Sequence, residues 1–392
     1  MKRLLLSTAL FAIYSCGGGS SGGPTLTVEV LGGPHLIAFQ DGNLPWVDIS
    51  GSGSSAPGKT TYTLNTSGKY GIMVLCTNDG KGRIFHANIS EMDKVVLSCR
   101  PEPFTLSGNI TYSSGSSARI FWRYSTYNAS GSSYSFSVYP EQKPIFAIEY
   151  DPSSNPVKVF KKALNISGNT TQNIDFNSGV NADSSTATFN CSDPDYTGFA
   201  LAFWEGTNVL LKSFTSSSTV AITKVIPDSL VGNGGWLFVY DFSGSRGIEA
   251  IYKTFSNRTC NLKPNQYSGS VTKSFVGIPQ RISLSWDSWN HGVAGHTLRF
   301  YRFNIFYNSY IYRWTIDLSS GWLGSSSSYT YTFPDISLLG WSVGYIPNSS
   351  NVNSVSMTME ATSGSWSDYV SCRLNGVCIA DNELSWARTT VP

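Results

Sequence analysis

Four histidines and seven cysteines carry most of the reactive side chains of this 392-residue chain, and their spacing limits the chemistry they could do. His291 and His296 form an H-x4-H pair that could offer two nitrogens to a metal. No third Cys, His or acid lies in a cluster with them, so the expectation is a loop pair and no metal. Asp193 and Asp195 flank Pro194 just after Cys191. Calcium would need more oxygen ligands in one loop, so these acids read as turn formers. A G-x-S-x-G pattern occurs at Gly18–Gly22, but with no strand before it or helix after it, it is no nucleophile elbow. The phosphate-cradling loops and the H-E-x-x-H zinc helix are missing. Paired carboxylates for glycoside hydrolysis converge in space, not in sequence, so that chemistry stays open. The expectation is no catalytic residue and no cofactor.

The cysteines point to cross-linking. Setting Cys16 aside leaves Cys76, Cys99, Cys191, Cys260, Cys372 and Cys378, an even set that in an exported chain argues for disulfides. Cys372 and Cys378 enclose Asn375-Gly376, a strong tight-turn pair, which predicts a local bridge. Cys76 and Cys99 end neighbouring strand-like runs, and Cys191 and Cys260 bracket a third segment; these are the other two expected pairs.

The strongest candidate for recognition is the aromatic segment His296–Leu318, HTLRFYRFNIFYNSYIYRWTIDL. Its second arm alternates, with Tyr310, Tyr312, Trp314, Ile316 and Leu318 on one face. Its first arm breaks phase between Phe300 and Tyr301, which implies a bulge or two apolar faces. The expected binding face is Tyr301, Phe303, Tyr310, Tyr312 and Trp314, with Arg299 and Arg313 beside them. Tyr and Trp would supply rigid stacking area and Arg polar contacts. The competing expectation is that the same residues fill a sandwich core.

Met1-Lys2-Arg3 followed by the apolar run Leu4–Tyr14 is too short to span a bilayer as a mature helix. The run ends in Ile13-Tyr14-Ser15-Cys16, and Gly17-Gly18-Gly19-Ser20-Ser21-Gly22-Gly23 follows. This resembles the lipobox of bacterial lipoproteins, although Tyr14 is bulkier than usual at its place. The resemblance implies cleavage before Cys16, acylation (palmitate among the chains) on that cysteine, and a flexible Gly/Ser tether. Gly17 rather than Asp after the cysteine resembles sorting to the outer membrane. Loss of Lys2 and Arg3 leaves 25 basic against 25 acidic side chains.

The elements that must position these residues are strands. Charged residues are only 13%, aromatics 14%, and Gly, Ser, Thr and Asn fill the spaces between them, a mixture suited to strands and turns. No basic surplus exists to attract nucleic acid. Period-two alternation dominates and no convincing helical stripe appears. Four hairpins are expected at Tyr70–Asn88, Pro144–Leu164, Gly235–Phe255 and Gly340–Glu360. Each is preceded by a short strand (at Tyr62, Tyr134, Val220 and Tyr329). Farther upstream lies an aromatic strand (at His35, Arg119, Gly198 and Thr297). The spacing suits whole sandwich domains in tandem.

The fold expectation is therefore all-β: tandem antiparallel β-sandwich domains after a signal peptide (1–15) and a tether (16–24). The units fall at 25–103, 104–191, 192–264 and 265–380, packed end to end, with 381–392 a loose tail or a final edge strand. Tyr62-Thr-Leu-Asn-Thr-Ser-Gly-Lys-Tyr70, a short strand leading through a Gly turn into a long one, resembles the transthyretin-like modules of carboxypeptidase regulatory domains. The repeated pattern also resembles immunoglobulin-like repeats of bacterial surface proteins. The resemblance implies architecture and no activity. The function expected is a non-enzymatic, lipid-anchored module of the cell envelope with a structural or adhesion-like binding role. The alternative is a carbohydrate-binding lipoprotein, accessory to glycan uptake or a weak glycan hydrolase. The partners expected are the membrane, through the N-terminal lipid, and an unidentified protein or glycan.

Overall fold

The structure is a computed structural model and describes residues 23–56, 58–99, 103–191, 198–214, 219–242 and 244–391. The signal, Cys16, the G-x-S-x-G tract and Asp193 and Asp195 lie outside the described residues. Strands account for 58% and helices for 7%, in several packed sheets, so the all-β sandwich reading holds. The three cysteine pairs are Cys76–Cys99, Cys191–Cys260 and Cys372–Cys378, with Cα separations of 5.2, 4.9 and 4.3 Å. They are the three pairs expected.

In the first three expected units the repeated pattern appears as strand pairing. In the first unit, Thr25–Gly32 pairs with Lys59–Asn65 in one sheet, while His35–Asp41, Lys69–Cys76 and Lys81–Asn88 run side by side in another. The second unit repeats this. Phe104–Thr111 pairs with Ser133–Val138, and Ser117–Trp122, Glu141–Tyr150 and Pro156–Ile166 lie side by side. In the third, Asp183–Asn190 pairs with Thr219–Val225, and Gly198–Trp204, Gly235–Phe242 and Arg246–Tyr252 lie side by side. Asp183–Asn190 also pairs with Arg258–Thr259, so this unit's pairing begins before Cys191, upstream of the expected boundary.

The fourth unit departs from expectation. No hairpin forms over 340–360. Ile336–Leu339 and Val343–Tyr345 are short 3-10 turns, and only Val352–Thr362 is a strand. Local capping outcompetes the alternating pattern there. Asp335 accepts from Ser337 N, Ser342 accepts from Gly344 N, and Gly340 closes the first turn at φ 76°. The equivalent of the missing arm is Asn382–Val391, which pairs with Val352–Thr362. The expected tail is thus a strand bonded on both sides, because Arg246–Tyr252 pairs with its other edge.

The expected end-to-end rod is also replaced. Strands of the third, fourth and first units join in one 12-stranded sheet through two seams. One is Arg246–Tyr252 against Asn382–Val391. The other is the parallel pair Tyr312–Ser319 against Lys81–Asn88. Each seam pairs strand edges that separate sandwiches would leave open. The strand Lys69–Cys76 explains itself in this setting. Tyr70, Ile72 and Val74 face a core shared with Leu26, Val28 and Tyr62, while Met73 and Leu75 face the opposite core with Trp314 and Ile316. Burial on both sides is what turns its sequence into the continuous apolar run Ile72–Leu75.

Candidate functional site

The aromatic hairpin forms as expected, Thr297–Tyr307 against Tyr312–Ser319, with a register shift between Leu298 and Phe300, just before the expected phase break. Its aromatic parity, however, faces inward. Tyr301, Phe303 and Trp314 are fully buried against Ile282, Leu284 and Trp286 of the small sheet that covers this face and against Phe333 just beyond it. The Trp314 indole N–H donates to the Tyr345 carbonyl and the Tyr301 hydroxyl accepts from Trp289 N. Tyr312 is half-buried between Tyr307 and Tyr345. Arg299 donates to Thr362 Oγ1 and to the Gly364 carbonyl, tying down the bulge. Of the aromatics expected on the binding face, Tyr310 alone is well exposed, at 62%, on the hairpin tip beside Ile311. The expected aromatic platform does not form: a sandwich core needed those rings more than the surface did.

The opposite parity of the same strands is the open one. Arg302 and Asn304 on one arm and Arg313 and Thr315 on the other lie half-buried or exposed along a polar strip. The neighbouring Lys81–Asn88 continues it with Lys81 and Arg83. Two clefts sit on this strip. The first, about 690 Å3, has those residues as its floor. One wall carries Leu31, Leu97 and Ser98, and the other carries Arg123, Tyr139, Pro140 and Glu141 from the second unit. The second, about 550 Å3, runs between the strand Lys94–Cys99 and the helix Trp366–Val370, with Glu249, Glu360, Trp366 and Arg373 on it. Arg83, Arg302 and Leu97 line both, so the clefts form one groove.

Asp317 organises the floor. Its side chain is 0% exposed, and it accepts from Arg83 Nε at 2.8 Å and Nη2 at 2.7 Å and from Arg302 Nε at 2.5 Å. Burial alone would raise this carboxyl, but the Arg302 and Arg83 guanidiniums outweigh it and hold Asp317 below its ordinary range. Arg302 Nη1 also donates to Glu360 at 2.8 Å. Burial raises the Glu360 carboxyl above its ordinary range against the pull of Arg302. Among the described residues this leaves Arg83 Nη1 and Arg302 Nη2 with no protein partner, on side chains 38% and 31% exposed.

The walls add further charge. Lys81 pairs with Asp79 at 2.7 Å, while Glu141 lies 3.3 Å from Arg123 and 3.9 Å from Lys143. One carboxylate there meets two cations. Arg313 makes no ion pair among the described residues and lies over the Phe306 ring at 5.9 Å. Deeper in the second cleft, Glu249 accepts from Arg373 Nε and from the Tyr369 hydroxyl at 2.6 Å.

The histidine pair does not gather ligands. His296 is buried, bonded to Ser385 Oγ at 3.0 Å and 3.5 Å from Glu383. No group of three or more metal-ligating side chains occurs among the described residues. Of the seven residues expected to form a binding face, only Arg313 lines the groove. Arg83, Arg302 and Asp317 were missed because their partnership spans strands from opposite ends of the chain; only the polar parity of the hairpin hinted at it. No protein-family model matches the chain, and no curated protein matches it in sequence.

Proposed function

We propose that this is a non-catalytic binding module of the cell envelope, built from tandem immunoglobulin-like or transthyretin-like sandwiches and held at the outer membrane by acyl chains on Cys16. The ligand lies in the groove on the polar face of the 12-stranded sheet. The observation that carries the reading is the groove's floor, where buried Asp317 fixes two guanidiniums whose remaining N–H groups have no protein partner. Three disulfides fit an exported, oxidising compartment, and no helix among the described residues is long and apolar enough to cross a membrane. The lipobox supplies the anchor and the tether its reach.

The test is cosedimentation of the purified full chain with polysaccharide prepared from the envelope of cells that make it. The chain should sediment, Thr315→Trp should abolish this by filling the groove, and Tyr310→Ala at the hairpin tip should sediment normally. No cosedimentation, or equal cosedimentation of Thr315→Trp, would overturn the reading.

A second reading, glycan hydrolysis, is favoured by one observation: Glu249 and Glu360 line the same cleft, and burial raises Glu360. Release of new reducing ends from that polysaccharide, lost in Glu360→Gln, would establish it. Release that survives the substitution would reject it.

A further inference from the structure

We propose that the groove binds an acidic glycan, through the carboxylates of uronate-type sugars laid along the Arg83–Arg302–Arg313 strip; this rests on the binding-module reading above. Three observations converge on it.

The first is charge left over. Arg83 and Arg302 are matched by Asp317 and Glu360, and Lys81 by Asp79. Arg313 meets no acid among the described residues, so cationic charge remains on the floor of the first cleft. A ligand carrying spaced negative charges would complete the balance.

The second is geometry. A guanidinium presents its N–H groups in a planar fork that matches a carboxylate. Asp317 takes the Nε edge of both Arg83 and Arg302, so their rotamers are set before any ligand arrives. What remains, Nη1 of Arg83 and Nη2 of Arg302, has no protein partner among the described residues.

The third is what lies between the cations. Asn304 and Thr315 are joined through Thr315 Oγ1 donating to Asn304 Oδ1 at 3.1 Å, which leaves the amide N–H groups of Asn304 for a ligand. Ser98 lies on one wall and the rings of Tyr139 and Pro140 on the other. Amide and hydroxyl groups beside an aromatic wall suit a polyhydroxylated ring. The first cleft, about 690 Å3, is in the range that takes a short oligomer, and it opens into the second through the shared arginines. An acidic peptide would instead add to the edge strand Lys94–Cys99. The floor strands are already paired on both sides and offer it no backbone groups.

The experiment is titration calorimetry on the full chain in detergent micelles. Its probes are a galacturonate hexamer, the same hexamer with its carboxyls reduced to alcohols, free galacturonate, and a glutamate hexapeptide. The proposal expects the acidic hexamer to bind at least tenfold more tightly than the other three, and several-fold more weakly when salt is raised from about 50 to 200 mM. Arg313→Glu should weaken it at least tenfold while the melting temperature holds, since Arg313 is exposed and unpaired. Equal binding of the reduced hexamer would overturn the carboxylate and leave the groove standing. Tighter binding of free galacturonate or of the peptide would overturn the glycan polymer. No binding of any probe, with Thr315→Trp still blocking envelope cosedimentation, would overturn the ligand class alone. Failure of both experiments would bring down the groove as well.

Discussion

Arg83 and Asp317 lie 234 positions apart in sequence, yet their side chains meet at 2.7 Å where the first and fourth units join in parallel. Asp317 is wholly buried, and its charge is tolerated only because Arg83 and Arg302 close over it. Asp317→Asn keeps the shape and removes the charge, stranding the two guanidiniums against each other. The expected loss is about 3 kcal/mol by urea unfolding. Arg313→Ala, at an exposed site, should stay within about 0.5 kcal/mol of the parent.

His86 offers a pH test. It is fully buried among Trp46, Trp322 and Tyr331, with Nε2 3.2 Å from the Tyr331 hydroxyl. Burial pushes its pKa down to about 3, opposed by a weaker backbone hydrogen bond. The unfolded chain takes up this proton near pH 6.5 and the folded one does not. Stability tied to His86 is therefore complete above pH 6.5 and is lost as pH falls from there toward 3. The slope expected is up to about 1.4 kcal/mol per pH unit. Denaturant melts of His86→Phe between pH 4 and 7 should lack this component, and an unchanged slope would contradict it.

The three disulfides should rank by the loop each closes. Sequence separations of 6, 23 and 69 residues predict losses of about 2, 3 and 4 kcal/mol when Cys372–Cys378, Cys76–Cys99 and Cys191–Cys260 are replaced pairwise by Ala. Thermal melts of the three double variants would show the order directly.

Gly82 sits opposite Trp314 across the parallel seam, and a Cβ there would come within 2.2 Å of the indole. Gly82→Ala must displace the ring or part the strands. The expected loss is about 1–3 kcal/mol, together with a changed tryptophan emission. An unperturbed spectrum would mean that the seam is looser than described.

Cys16→Ser should move the protein from the membrane fraction to the soluble one and remove any acyl mass from its N-terminus. Retention in the membrane fraction would contradict the lipobox reading.

Much of the fold was legible because alternation and turn chemistry are local. The short strands near Tyr62, Tyr134, Val220 and Tyr329, the first three hairpins and the three cysteine pairs all follow from them. Two things were not. The Gly340 region alternates like a strand, but Asp335 and Ser342 cap it into 3-10 turns, and capping residues are easily read as polar positions of a strand. The seams that fuse three units into one sheet depend on strand edges meeting from distant parts of the chain, and no local pattern encodes them. The site followed the same division. Periodicity located the right hairpin and its bulge, but assigned the surface to the aromatic parity. Which face a small sheet will cover is decided by Ile282, Leu284 and Trp286, nearer the chain's middle, and the polar parity of Arg302, Asn304, Arg313 and Thr315 was left open instead.

The central claim, that the groove and not the aromatic hairpin tip is the binding face, is tested most directly by hydroxyl-radical footprinting of the full chain with and without envelope polysaccharide. The account predicts protection at Leu31, Tyr139 and Arg313, with no change at Tyr310 and Ile311. Protection confined to Tyr310 and Ile311, with the groove residues unchanged, would contradict it.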